Sequence, residues 1–180
     1  MGRYLWTAHA ILGILADMTE TKTPERRLKF LVVANDCPEA RLAAYFTARR
    51  AAHSNATVVL LHVIEPNEGT HWATVAETMR AEAHERAELC LAEFKGIVEA
   101  ERGEAPECLI REGQTVDELS KLIAEDEQIA ILFLGASTNP DGPGPLVSAL
   151  AHRPDYIRSR PIPVTVVPGT VDLETLSGLS

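Results

Sequence analysis

The chain has 180 residues, of which 46% are hydrophobic, 24% charged and only 5% aromatic, ordinary values for one globular domain with a core of Val, Ile, Leu and Ala. Such a core favours buried parallel strands over an aromatic-rich β-sandwich. The formal net charge of -9 excludes general binding to nucleic acid or an anionic membrane, but not one anionic ligand held by backbone N–H groups.

Residues 1–27 are expected to be an N-terminal extension, 28–169 the domain and 170–180 a tail. Tyr4 to Ala16 is apolar behind a single Arg3, too short to span a membrane as a helix. It resembles a weak signal peptide. The alternative is translation from Met18, which leaves residues 1–17 without function. The second reading is preferred, because everything after Lys29 has the character of a cytosolic fold.

Phe30-Leu-Val-Val-Ala34 is a strand buried on both faces. Cys37 is the expected N-cap of the next helix, with Pro38 at its first position and Glu39 complementing its dipole. That helix runs to about His53 and offers Leu42, Ala43 and Phe46 to the sheet. Ser54-Asn55 breaks it. Thr57 to Ile64 is the second strand, and Glu65 to Gly69 a loop. A long helix from Trp72 to about Ala100 carries an apolar stripe of Val75, Met79, Leu89, Leu91 and Phe94.

Glu107 to Arg111 is a third strand with charged ends, as an edge strand has. Thr115 and Glu118 have the spacing of a capping box, and Val116, Leu119, Leu122 and Ile123 form one helix face. Ile129 to Leu134 is the fourth strand. A Gly- and Pro-rich loop opens at Gly135, and a short helix covers Leu146 to Ala151. Pro161 to Val167 is the fifth strand, and Thr170 to Ser180 adds a last helical turn or frays. The alternation predicts an α/β fold, a doubly wound parallel sheet with helices on both faces. Ligands of such sheets bind at the carboxyl ends of the strands, at the switch point. The positions there are Asn35 to Pro38, Ile64 to Pro66, Gly113 and Gly135 onward.

The first strand end has neither G-x-G-x-x-G nor a Walker lysine, which argues against a dinucleotide site or a P-loop. Asn35 and Asp36 either bond a base or ribose or shape the turn into the helix. Cys37 is either a thiol activated at a helix N-terminus or, as lack of a neighbouring base favours, a small cap. The loop from Gly135 to Ser148 either cradles a phosphate or is a stiff connector. Pro140, Pro143 and Pro145 remove three amide donors there. The Gly142 and Gly144 amides and the Ser137, Thr138 and Ser148 hydroxyls remain. His62 reads as a hydrogen-bonded core residue and Trp72 as packing. Three widely spaced cysteines, Cys37, Cys90 and Cys108, form no disulfide framework or zinc pattern and fit a reducing cytoplasm. The histidines have no metal-binding spacing.

The chain resembles the universal stress proteins of the UspA-like class from about Leu28 to Gly169. The resemblance rests on Phe30-Leu-Val-Val-Ala-Asn-Asp36, Val58-Val-Leu-Leu-His-Val-Ile-Glu-Pro66, Arg111-Glu-Gly113, Ile131-Leu-Phe-Leu-Gly135 and Pro161-Ile-Pro-Val-Thr-Val-Val167. It implies a five-stranded parallel sheet of order 3-2-1-4-5. It also implies a homodimer through the fifth strand near Ile162, Val164 and Val166. Some members bind ATP, through an Asp after the first strand and a loop of Gly, two residues, Gly, nine residues, then Gly with Ser or Thr. Here Asn35 takes the Asp position, with Asp36 next to it. Gly135 matches the first glycine, Thr138 replaces the second, and Ser148-Ala149 replaces the Gly-Ser/Thr pair.

The resemblance therefore implies a non-enzymatic, dimeric stress or signalling protein in the cytoplasm, with weak or altered binding of ATP or a related nucleotide. Its expected contacts are Asn35, Asp36, Cys37, Ile64, Gly113, Gly135, Thr138, Gly142, Gly144 and Ser148. The alternatives are a protein-interaction module and an adenylyl-transferring or nucleotide-hydrolysing enzyme. Against the enzyme, the chain has no His-x-Gly-His, no Lys-Met-Ser-Lys-Ser and no Ser-Gly-Gly-x-Asp-Ser.

Overall fold

In strand β1 (Lys29–Val33), Phe30 and Val32 enter one apolar cluster, while Leu31 and Val33 enter another. Successive strand side chains point to opposite faces, so an unbroken apolar run has to be covered on both. The computed structural model describes residues 27–66, 73–152 and 160–179. The expectations for residues 1–17, for the loop at Asn67 to Gly69, for Trp72 and for the Val75 side chain lie outside the described residues.

Four more strands follow: β2 (Thr57–Ile64), β3 (Glu107–Glu112), β4 (Ile129–Ala136) and β5 (Val164–Pro168). The helices are α1 (Pro38–Ser54), α2 (Ala73–Arg102), α3 (Thr115–Glu125), α4 (Pro145–His152) and α5 (Leu173–Leu179). The sheet order is β3-β2-β1-β4-β5, and every adjacent pair is parallel. This is the expected doubly wound sheet.

Helices α1 and α2 cover one face. Ala40, Ala44, Ala48 and Ala51 of α1 pack with Leu91, Phe94 and Val98 of α2. A face of alanines has no long side chains to hold helix and sheet apart, so α1 lies close to the strands. Helices α3 and α4 cover the other face, through Leu119, Leu122 and Ile123 and through Leu146, Val147 and Leu150. Leu176 of α5 closes the end of α1 and β5 against Ala43 and Val167. Asn55 ends α1 in the left-handed conformation (φ 52°, ψ 33°), and its N–H donates to the Ala51 carbonyl. Asn tolerates that conformation better than most residues.

Two expectations change. The buried line of α2 is Ala87, Leu91, Phe94 and Val98, whereas Leu89 is exposed. Leu89 stands two residues from Leu91, about 200° around the helix. The fifth strand begins at Val164 rather than Pro161. Pro163 has no N–H for the ladder; its carbonyl accepts from Leu132 at 3.0 Å. Ile162 therefore lies outside the strand and packs with the α3–α4 cluster. The guanidinium of Arg160 ties this approach down. Its Nη2 donates to the Ile129 carbonyl at 2.6 Å and to those of Asp126 and Ile123 at 3.3 and 3.4 Å.

Candidate functional site

The sheet order reverses beside β1, and three clefts open where the strands end there. The inner cleft has a volume of about 480 Å3. Its walls are Val33, Ala34 and Asn35 after β1, and His62, Val63 and Glu65 at the end of β2. The first residues of α3, Gln114 to Asp117, and Pro145, Leu146 and Ala149 of α4 complete it. The loop cleft, about 80 Å3, shares Asn35 and Leu146 with it and reaches Cys37, Glu39, Gly135, Ser137 and Gly144. The outer cleft, about 540 Å3, lies on the α2 side and includes Asp36, Ile64, Arg86, Cys90 and Glu93.

The expected contact residues divide among these spaces. Asn35 lines both the inner and loop clefts. Asp36 lines the outer cleft, where its carboxylate accepts from Arg41 Nη2 at 2.9 Å. Arg41 also holds Glu93, whose carboxyl it keeps below the usual range. Ile64 lines the outer cleft, and its carbonyl accepts from Gly113 N–H at 3.0 Å. Gly113 (φ 146°) forms the β3–α3 turn and borders none of the three clefts. Thr138, Gly142 and Ser148 border none of them either.

Cys37 is the N-cap residue of α1, but its side chain makes no capping hydrogen bond. Burial, followed by the carboxylates of Glu39 and Asp36, pushes its thiol up. Burial first, and then these carboxylates, oppose the thiolate, which favours Cys37 as a small cap over an activated thiol.

Gly135 does not open the loop; it is a strand residue, paired with Val167. A β-carbon there would stand 2.7 Å from the Ala40 nitrogen and closer still to the Glu39 carbonyl. The glycine is required by the approach of α1. The loop after it is largely self-satisfied. Ser137 N–H donates to Pro143 O, Gly142 N–H to Asn139 O, and Ser148 N–H to Gly144 O. Asn139 N–H donates to Ser137 Oγ. Gly142 and Gly144 have φ of 115° and 98°, a conformation that favours glycine.

The capping box at Thr115 is also replaced. Gln114 is the N-cap and Thr115 the first helical residue. Thr115 donates its hydroxyl to Glu65 Oε1 at 2.5 Å and its N–H to the same oxygen at 3.2 Å. Glu118 is buried instead, 2.6 Å from Lys121 Nζ and 3.7 Å from Arg111. Glu65 lies within the expected strand-end stretch Ile64 to Pro66; Thr115, Asp117 and Leu146 line the inner cleft beside it and are not among the expected contacts. The usable signal was positional, since each helix that follows a strand presents its first turn at the switch point.

His62 stands between the inner and outer clefts. Burial holds its imidazole below the usual histidine range, and a hydrogen bond to the Ala34 backbone partly offsets this. Its Nδ1 is buried without a partner among the described residues. The charged groups in the walls of the two clefts it borders are Asp36, Glu65, Arg86 and Glu93 in the outer one and Glu65 and Asp117 in the inner one. A depressed folded-state pKa means that the unfolded chain takes up the proton first as pH falls. Stability from His62 is therefore complete above about pH 6.5 and declines as pH drops from there through the folded value. His62→Gln should flatten the change in melting temperature between pH 7.5 and 5.5 (~2 pH units spanning the free-histidine range), and equal slopes in both proteins would exclude His62 as its source.

Comparison with known proteins follows the same outline. The model of the universal stress protein family matches residues 27–168. No curated protein matches the chain. The universal stress protein UspA from Lactobacillus plantarum superposes with a TM-score of 0.64 at 16% identity, over 79% of this chain and 98% of that one. A universal stress protein in complex with cAMP gives 0.56 at 16% identity, over 80% and 98%. A family protein from Arabidopsis thaliana with AMP bound gives 0.52 at 19% identity, over 82% and 94%.

Proposed function

This chain belongs to the universal stress protein family, and from that premise we propose that it is a non-enzymatic domain of stress response or signalling whose inner cleft takes a nucleotide with weak or altered affinity. The observation that carries this reading is the inner cleft itself. At about 480 Å3 it falls within the range of small-molecule sites. Val33, Val63, Val116 and Leu146 give it an apolar floor for a base, and Asn35 supplies an amide to orient one. Structures of the same fold hold cAMP and AMP. The non-enzymatic part is supported by the Cys37 thiol, which is held protonated in the wall of the loop cleft.

Calorimetry with AMP and with Mg-ATP tests the reading. Saturable heat that Asn35→Trp removes, by filling the cleft from an exposed position, is the expected result. No heat with either nucleotide or with adenosine at millimolar concentration would transfer the strand-end loops to a protein partner.

A second copy of the chain is the proposed partner, joined through β5. Val164 and Val166 are exposed apolar side chains on an edge strand, and such an edge is a template for pairing. Light scattering at micromolar concentration should give the dimer mass, and Val166→Asp the monomer mass. A monomeric native protein refutes the pairing. The proposed compartment is the cytoplasm, in keeping with free thiols at Cys37, Cys90 and Cys108.

A further inference from the structure

We infer that the inner cleft selects against negative charge on its ligand, so that it prefers a neutral nucleoside to the corresponding mono- or triphosphate. This rests on the nucleotide-binding reading and narrows the ligand class.

Several of the anchors a phosphate would use are already engaged. At the N-terminus of α3 the carboxylate of Glu65 occupies the place of an external anion, accepting from both the N–H and the hydroxyl of Thr115. A helix N-terminus satisfied by an internal carboxylate has less to offer a second anion. At the N-terminus of α4, Pro145 has no N–H. In the loop before it the Ser137 and Gly142 amides are bonded within the loop.

The field has the same sense. Glu65 and Asp117 line the inner cleft, and Glu39 lines the loop cleft. Among the described residues neither cleft is lined by Lys or Arg. A polyphosphate leaving the inner cleft toward Gly135 would meet a space of about 80 Å3 with Glu39 in its wall. Like charges sharing a cleft repel, and added salt weakens the repulsion. A nucleoside meets none of this, because its base needs the apolar floor and its ribose needs polar partners such as Asn35.

The test is a binding series on the full chain with adenosine, AMP and ATP, read by calorimetry at low and high salt. The expected order is adenosine, then AMP, then ATP, with ATP about tenfold weaker than adenosine at low salt and the gap narrowing as salt rises. Glu65→Ala frees the Thr115 donors. It should raise the affinity for AMP relative to that for adenosine by about tenfold. Glu65→Gln keeps an acceptor for Thr115 while removing the charge, and should narrow the gap to a lesser degree. ATP binding as tightly as adenosine overturns the inference and leaves the nucleotide reading intact. A gap insensitive both to salt and to Glu65 also overturns it, since the size of the loop cleft would then set the preference. Failure of all three ligands to bind removes the nucleotide reading and the inference together.

Discussion

Gly135→Ala should destabilise the domain by about 3 kcal/mol, at the upper end of ordinary overpacking. The new methyl group meets the backbone of Glu39 and Ala40, not a side chain that can rotate away. Relief requires moving α1 off the sheet. That motion opens the packing of Ala40, Ala44 and Ala48, which are buried against the strands. Gly169→Ala is the control. Its β-carbon would stand 2.5 Å from Glu39 Cγ, part of a side chain that can shift, with Ala136 O at 3.1 Å. That change should cost about 1 kcal/mol. Urea midpoints with an unchanged slope check both values. A Gly135→Ala protein as stable as the native one would show that α1 yields easily. One consequence concerns ligand assays, because a Gly135 variant that fails to bind reports displacement of α1 as much as loss of phosphate contact.

Phe133→Ala should cost about 4 kcal/mol. Phe133 is 2% exposed at the centre of β4. Its ring lies 5.4 Å from that of Phe30 and 6.2 Å from that of Phe46. Truncation removes the buried area and both ring contacts, and leaves a cavity that β1 and α1 cannot fill without moving. Phe133→Leu retains most of the volume and should cost about 1.5 kcal/mol. Chemical denaturation of the pair separates cavity from contact. Equal losses for Leu and Ala would mean that the ring interactions, not the filled space, carry the effect.

Both faces of the sheet were legible because local pattern and tertiary role agree there. Thr57 to Ile64 is an apolar run and becomes β2 over those residues. Pro38 suits only the first turn of a helix and starts α1. The site was legible as a location but not as a set of contacts, because its contacts are tertiary. Thr115 and Glu118 have the spacing of a capping box, yet Glu65, fifty residues away in the chain, takes the Thr115 donors. Asn35 and Asp36 are both expected contacts at the end of the first strand. Arg41 holds Asp36 on the α2 side and leaves Asn35 facing the inner cleft. Gly135 looked like the first glycine of a phosphate loop, but the nearest atoms belong to α1. No one-dimensional pattern encodes the distance between a helix backbone and a strand. The alanine face of α1 was the available hint that the two would lie close.

The central claim is that the inner cleft, between Asn35 and Leu146, holds the nucleoside moiety of the ligand. An adenosine titration of the isotope-labelled protein, followed through its backbone amide resonances, tests it most directly. The account predicts that Asn35, Val63, Thr115, Val116 and Leu146 shift together along one saturation curve, while Arg86 and Glu93 of the outer cleft stay fixed. Shifts confined to the outer cleft, or none at saturating adenosine, would contradict it.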